Sequence, residues 1–249
     1  MSNFLRRAAA SLAQVVGLRA SQLYPSPSKF FLLRRLLKCL DDSAGMSIGL
    51  DVACADFKYR DLFKTDRYVG IDLDAANLQR GIVLRARQDD VGILGNLLHL
   101  ERVPKVADLV VSTHTLASLP DQMREQGVRV LADAVLPNGT LFLNMPTASD
   151  TEELHQFLCE RFGVVNRTVY GAPLFMRIED FFAYRTGSKN PLILAALGGA
   201  IVICYLLSFL EDIALVRKNG VSTIYWCKNR KSAEVESRLS SLKELALKS

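Results

Sequence analysis

The sequence predicts an α/β protein with a mostly parallel sheet covered by helices on both faces. Two observations lead there. Short apolar runs of strand length at residues 46–51, 68–72, 108–112 and 140–144 alternate with helix-like stretches at 59–63, 75–87 and 121–135. Strands separated by helices pair in parallel and are buried on both faces. The chain also has the material for such a core, with 249 residues of which 49% are hydrophobic. With charged residues at 23%, that composition excludes a disordered or low-complexity chain.

The elements follow in order. Residues 1–45 are expected to form a helical basic arm. An amphipathic helix is expected at 4–17, a break at the Pro- and Ser-rich residues 24–28, and a second helix at 29–40. Apolar residues cover more than one stripe of that second helix, so it is expected to pack on the domain that follows. Of the 31 Lys and Arg, seven (Arg6, Arg7, Arg19, Lys29, Arg34, Arg35 and Lys38) fall in the first forty residues, where no acid occurs. Such a segment suits anionic lipid, nucleic acid or an organelle address. Its bases are interleaved with Leu, Phe and Ala, and no RNP-type, zinc-finger or arginine–glycine pattern is present. That mixture favours a membrane surface or a packing helix, and no nucleic-acid partner is expected. An Arg-rich, acid-free start leaves a mitochondrial presequence as the alternative to a cytoplasmic location.

The α/β core is expected over 46–170. Ser149 with Glu152 three residues later reads as a capping box opening a helix that reaches Phe162. Further strands are expected at 164–170 and 221–228, the latter within a last core strand at 221–230, and a terminal helix at 231–249. Between those strands, residues 171–220 form an insert in which 191–210 carry no charge. Twenty helical residues measure about 30 Å, the thickness of a bilayer core. A true span would strand 221–228 across the membrane, away from the sheet that must satisfy its backbone. A re-entrant or surface-lying insert, with Gly198-Gly199 able to divide it, reconciles the two; a span and a buried contact remain the alternatives.

Cys39, Cys54, Cys159, Cys204 and Cys227 lie far apart, so neither a disulfide framework nor a metal site is expected, and a reducing, cytoplasmic setting fits. His99 and His155 fall in helix-like stretches with no partner pattern and read as structural. His114 is different: it follows a strand at the carboxyl edge, where open α/β sheets place ligands, and is the candidate general base.

Two stretches point to a nucleoside site. Leu50-Asp51-Val52-Ala53-Cys54-Ala55-Asp56-Phe57 leaves a strand through small residues that let backbone approach a ligand, and a helix beyond would offer its N–H groups. About twenty residues on, Tyr68-Val69-Gly70-Ile71-Asp72-Leu73 ends a second strand in an acid placed to accept hydrogen bonds from ribose hydroxyls.

With these residues the chain resembles the class I, Rossmann-like S-adenosylmethionine-dependent methyltransferases, over roughly 46–170 plus 221–229. Asp51-Val52-Ala53-Cys54-Ala55 stands where the family has an acid followed by a Gly-x-Gly turn, and Asp72 matches the acid ending the second strand. Gly95-Asn96-Leu97 resembles the Gly-Asp-x segment near adenine. The run from Ala107 through Ser112 to His114, then Leu119-Pro120-Asp121 and Leu136-Pro137-Asn138-Gly139-Thr140, resembles the fourth strand, the following helix start and the turn into strand five. The resemblance implies a seven-stranded sheet with 221–228 inserted antiparallel beside the fifth strand, and S-adenosylmethionine as cofactor. It implies Asp51, Ala53, Cys54 and Ala55 on the methionine side, Asp72 at the ribose, Leu73, Asn96 and Leu97 around adenine, and Ser112 lining the cleft. Both signature glycines are alanines here, Phe57 stands beyond them where a small residue is common, and Asn96 replaces an acid. The expected activity is methyl transfer to a small or lipid-linked acceptor at a membrane. The alternative is a noncatalytic module of the same fold.

Overall fold

The computed structural model describes residues 26–102, 107–183, 191–213, 216 and 218–232. The expected helices at 4–17 and 231–249 lie outside them, save for residues 231 and 232. By its internal contacts the chain divides into two compact units, Cys39–Thr168 with Thr223–Ser249, and Met1–Lys38 with Val169–Ser222.

The first unit is built on β1 (Ile48–Val52), β2 (Arg67–Asp72), β3 (Val91–Leu94), β4 (Ala107–Ser112), β5 (Val135–Pro146), β6 (Phe162–Tyr170) and β7 (Ser222–Arg230). They form one seven-stranded sheet in the order β3-β2-β1-β4-β5-β7-β6. The pairs β1–β2, β1–β4, β2–β3 and β4–β5 are parallel. β7 runs antiparallel to β6, since Lys231 N–H donates to Arg161 O while Asn166 Nδ2 donates to Trp226 O. β7 lies between β5 and β6, beside the fifth strand as the family resemblance implied. Leu50, Val110, Leu131, Leu141, Leu143 and Leu158 belong to the core cluster on this sheet.

Some elements differ from their sequence reading. β3 was not foreseen. The stretch 59–63 yields only a 3₁₀ turn, Arg60–Leu62. Its Arg60 is buried on Asp90, and Asp90 Oδ1 accepts the Tyr68 N–H, so this turn serves packing. The helix expected from Ser149 starts later, at Glu152–Arg161, with Thr151 as the cap accepting the Leu154 N–H. Ser149 instead closes a 3₁₀ turn and accepts Arg124 Nη1–H, while Asp150 is taken by Tyr225 and Arg167.

The helices, numbered along the chain, are α1 (Pro27–Asp42), α2 (Ala75–Arg85), α3 (Asp121–Asp133), α4 (Glu152–Arg161), α5 (Pro173–Ala183) and α6 (Pro191–Leu207). α2 is capped by Asp74, whose side chain accepts the N–H groups of Ala76 and Asn77. The second unit joins most of α1 to the insert. Phe30 meets Tyr205 edge-on at 5.8 Å, and Arg34 lies 3.9 Å over the Phe209 ring while donating to Asp212. Buried Glu211 accepts from Ser28 Oγ at 2.9 Å and from the backbone N–H groups of Gly171 and Ala172.

α6 runs unbroken through Gly198-Gly199, and the remaining residues to Asp212 form a 3₁₀ turn. Its 17 residues span about 26 Å. Among the described residues no helix is long and apolar enough to cross a membrane. Cys204 and Tyr205 of α6 are buried, as are Ser208 and Glu211 of the turn after it, whereas Val202, Ile203, Leu206, Leu210 and Ile213 are exposed.

Candidate functional site

The parallel strands all deliver their carboxyl ends to one edge, and a cleft of about 370 Å³ opens there. β1 contributes Val52 and Ala53, and β2 contributes Ile71, Asp72 and Leu73. Gly95, Asn96 and Leu97 follow β3, and Thr113, His114 and Thr115 follow β4, with Ser118 and Leu119 closing the wall.

The turn after β1 decides the shape of this cleft. Ala53, Ala55 and Phe57 all hold left-handed backbone conformations, at φ of 61°, 49° and 57°. A side chain in that region costs of order 1 kcal/mol relative to glycine. Something must therefore hold the turn, and the contacts are specific. The N–H groups of Ala53 and Cys54 both donate to Ile71 O, and Lys58 N–H donates back to Cys54 O. Ala55 N–H donates to Asp72 Oδ2 at 2.7 Å.

Packing completes the hold. Phe57 is fully buried and meets the Tyr68 ring at 4.9 Å. It occupies space that Gly70 and Gly81 leave open: a Cβ on Gly70 would lie 2.6 Å from Phe57 Cε1, and one on Gly81 would lie 2.8 Å from Phe57 N. The turn carries side chains where glycines are expected, and β2 and α2 carry glycines opposite them.

Asp72 is fixed by two backbone donors, Ala55 N–H on Oδ2 and Asp74 N–H on Oδ1 at 2.8 Å. A carboxylate has about four acceptor positions, so it retains capacity for a ligand hydroxyl. Asn96 accepts the Leu98 N–H at 2.9 Å and caps the 3₁₀ turn that forms this wall. His114 is exposed, at φ 62°, and its N–H donates to Asn144 Oδ1 at 2.8 Å. Arg124 grips the turn beyond, donating to the carbonyls of Leu116 and Leu119.

Of the residues singled out from sequence, Ala53, Asp72, Leu73, Asn96, Leu97 and His114 line the cleft. Asp51, Cys54, Ala55 and Ser112 do not. Asp51 is 1% exposed and its Oδ2 accepts the Tyr68 hydroxyl at 2.7 Å. The pleat of β1 turns neighbouring side chains to opposite faces, so Val52 reaches the cleft and Asp51 does not. Burial raises the Asp51 carboxyl to about 7, against the Tyr68 hydroxyl and the Lys58 charge, with Asp72 adding to the rise. Cys54 is buried, and that burial, with Asp51 and Asp72 nearby, pushes its thiol well up. Ser112 is buried and donates to Val52 O. With only a 3₁₀ turn after β1, no long helix presents its N-terminus there.

Sequence reasoning missed Val52, Ile71, Thr113, Thr115 and Ser118 as lining residues, and it missed the supports Tyr68, Asn144 and Arg124. The lining residues flank the ones named and follow once strand ends are known. The supports carry no local signal.

No protein-family profile and no curated protein sequence matches the chain. Solved structures do. The N-methyltransferase NodS of Bradyrhizobium japonicum WM9 is 13% identical with a TM-score of 0.50, over 80% of this chain and 94% of that one. Phosphoethanolamine N-methyltransferase 2 of Haemonchus contortus, in complex with S-adenosyl-L-methionine, is 13% identical with a TM-score of 0.51. That match covers 80% of this chain and 52% of the other, so this chain spans about half the length of that relative. The likeness shows the fold: a Rossmann-like methyltransferase fold, with its mostly parallel seven-stranded sheet.

Proposed function

We propose that the chain is an S-adenosylmethionine-dependent methyltransferase, acting on a small or lipid-associated acceptor at a membrane surface. The observation that carries this reading is the turn after β1. Ala53, Ala55 and Phe57 hold left-handed conformations that glycine adopts most easily, and the same turn fixes Asp72 at the cleft edge. A site that had lost its ligand has no need to keep that geometry at the expense of strain. The cleft volume of about 370 Å³ falls within the range of small-molecule sites, of order 300–1,000 Å³.

In this reading Asp72 accepts the ribose hydroxyls, and Leu73, Asn96 and Leu97 surround adenine. Ala53 and the backbone of Cys54 and Ala55 bound the methionine side, while Ser112 braces the β1 end by donating to Val52 O. When bound, the cofactor's sulfonium supplies an electrophilic methyl group. The protein's share is alignment, which alone can lower a barrier by about 7–11 kcal/mol. His114, exposed at the wall, takes a proton from the acceptor where the acceptor must lose one.

The membrane part rests on α6. No residue from Pro191 to Leu210 is charged, and Val202, Ile203, Leu206, Leu210 and Ile213 are exposed on the same side. That exposed apolar face would bury itself at the headgroup–acyl boundary, and the acid-free basic arm adds attraction to the anionic face of a cytoplasmic membrane. A lipid, an isoprenoid precursor or a lipid-linked glycan is the class of acceptor met there.

Replacement of both signature glycines by Ala53 and Ala55, with Phe57 where a small residue is common, favours a second reading, a noncatalytic module of the same fold. Calorimetry with S-adenosylmethionine and S-adenosylhomocysteine separates the two. Binding that Asp72→Ala weakens by tenfold or more supports the first reading; no binding at millimolar ligand supports the second.

A further inference from the structure

We propose that the free edge of β3 is an interface between two copies of this chain, which pair β3 antiparallel across a two-fold axis at Ile93 and so join their sheets edge to edge. The interface belongs to the sheet and is independent of the cofactor reading.

β3 and β6 are the two edges of the sheet. An unpaired edge presents a row of backbone N–H and C=O groups, and proteins guard it with charge, proline, a bulge or shortness. β6 carries Asn166 and Arg167. β3 has shortness alone: it is four residues long, and no charge or proline occurs from Val91 to Leu98. Its surroundings are apolar and open. Val91 and Leu94 are exposed, the latter at 62%, and so are Ile82 and Val83 of α2. An exposed apolar surface of this kind marks a contact site.

The backbone says which strand fits. Gly95 N–H donates to Asp72 O, and β2 and β3 run in parallel register with Asp72 beside Leu94. Backbone groups alternate along a strand, so Val91, Ile93 and Gly95 face β2, while Gly92 and Leu94 turn their N–H and C=O outward. Residues opposed across an antiparallel pair also share a face of the sheet. Gly92 and Leu94 lie on the α2 face, since a Cβ on Gly92 would lie 2.6 Å from Ile82 Cδ1. A two-fold axis normal to the sheet at Ile93 meets both conditions. Gly92 then exchanges two hydrogen bonds with Leu94 of the second copy, Leu94 does so with its Gly92, and Ile93 faces Ile93.

The side chains agree with that register. Each exposed Leu94 comes beside the Gly92 of the other copy, where β3 offers no side chain to compete and Ile82 offers an apolar contact. Gly81 faces Phe57 and Ile82 faces Gly92, so the next step of about 100° carries Val83 out past the edge, towards α2 of the second copy. Charge is complementary as well. Asp89 precedes β3, and the antiparallel partner meets it with an uncharged run ending in His99 rather than with another acid. An axis at Gly92 would instead set Leu94 against Asp90, whose carboxylate is committed to Arg60. With the axis at Ile93, Val91 of the second copy stands opposite Gly95, a residue of the cleft wall, and braces it. Four residues form few bonds, so the dimer belongs to the weak, small-interface class.

The test uses the full-length chain in a non-ionic detergent that covers the exposed face of α6. Sedimentation over about 5–200 μM protein should show a monomer–dimer equilibrium. Leu94→Lys, at an exposed position, should weaken the dimer by at least about tenfold and leave the melting temperature of the monomer in place. Register is read by cross-linking in a Cys159→Ser background, which removes the exposed thiol. Ile93→Cys should join two copies when oxidised with diamide, because a non-hydrogen-bonded pair sets its Cα atoms about 4.5 Å apart. Leu94→Cys should not, since the two Leu94 positions are offset along the strands. A monomer throughout, a dimer that Leu94→Lys leaves intact, or Leu94→Cys linking as fast as Ile93→Cys overturns the inference. Should Ile93→Cys fail to fold, sedimentation of wild type and Leu94→Lys decides alone.

Discussion

Asn144 Oδ1 accepts the backbone N–H of His114 at 2.8 Å, which ties the carboxyl end of β5 to the turn that leaves β4. The bond lies on a residue that is nearly buried and a partner whose φ is 62°. It thus stabilises a conformation a non-glycine residue rarely adopts, at the wall of the cleft.

Replacing Asn144 by Ala removes that acceptor and should lower stability by about 1 kcal/mol, the usual net worth of one hydrogen bond. Urea denaturation measures this. The turnover attributed to His114 should fall further than the affinity for S-adenosylhomocysteine, because the Asp72 side of the cleft is untouched. Equal losses in both would mean that Asn144 supports the whole cleft.

The turn after β1 makes a contrasting pair of variants. Ala53→Gly and Ala55→Gly relieve left-handed strain of order 1 kcal/mol each, offset in part by the greater freedom of an unfolded glycine. Stability should therefore change little, with cofactor affinity retained. Phe57→Ala empties the space between Gly70 and Gly81 and should destabilise by about 3–5 kcal/mol. If Phe57→Ala proves neutral in denaturation, the compensating role given to Gly70 and Gly81 is wrong.

Asp51 also makes stability depend on pH. Its carboxyl is raised to about 7 in the folded chain, against about 4 unfolded. Between those values the native state holds the proton that the unfolded state has released, so stability from this group falls as pH rises from about 4 to 7. Asp51→Asn should be more stable than wild type at pH 8 by up to a few kcal/mol, and the difference should shrink towards pH 5. Thermal melts of both proteins across that range provide the check.

Ile203 and Leu206 test the membrane face. Both are more than half exposed, so Ile203→Glu with Leu206→Glu should alter stability by no more than about 0.5 kcal/mol each. Binding to vesicles containing anionic lipid should fall steeply, since the apolar contribution is lost and charge is placed against it. Unchanged vesicle sedimentation would assign the exposed apolar face to something other than lipid.

Much of the fold was legible because β1, β2, β4 and β5 contain apolar runs of strand length that alternate with helix-like stretches. β3 was not, since Val91-Gly92-Ile93-Leu94 is only four residues long, half exposed and interrupted by glycine. The positions of Asp72 and His114 followed from strand ends, and that of Asn96 from the family resemblance alone. The orientation of Asp51 did not, because a shift of one residue in the pleat exchanges the face that meets the ligand with the face that meets Tyr68. Nor does an alanine at 53 or 55 announce its backbone conformation. That conformation depends on Gly70 and Gly81, which sit in other elements and look ordinary there.

The bond from Ser28 Oγ to Glu211 joins residues 183 positions apart, and its consequence is one of timing. α1 carries Phe30, Phe31, Leu32, Leu33 and Leu36, all buried in the finished structure. Its partners Tyr205, Ser208 and Glu211 are made about 170 residues later. At about 5–20 residues per second, the apolar helix waits on the order of ten to forty seconds for them. During that interval the nascent chain displays a sticky amphiphile with an unfinished sheet behind it. A ribosome-associated chaperone or the membrane itself is the natural shelter, and ribosome-bound chains halted before residue 205 should crosslink to it through residues 30–37, whereas chains long enough for Glu211 to have cleared the exit tunnel should not.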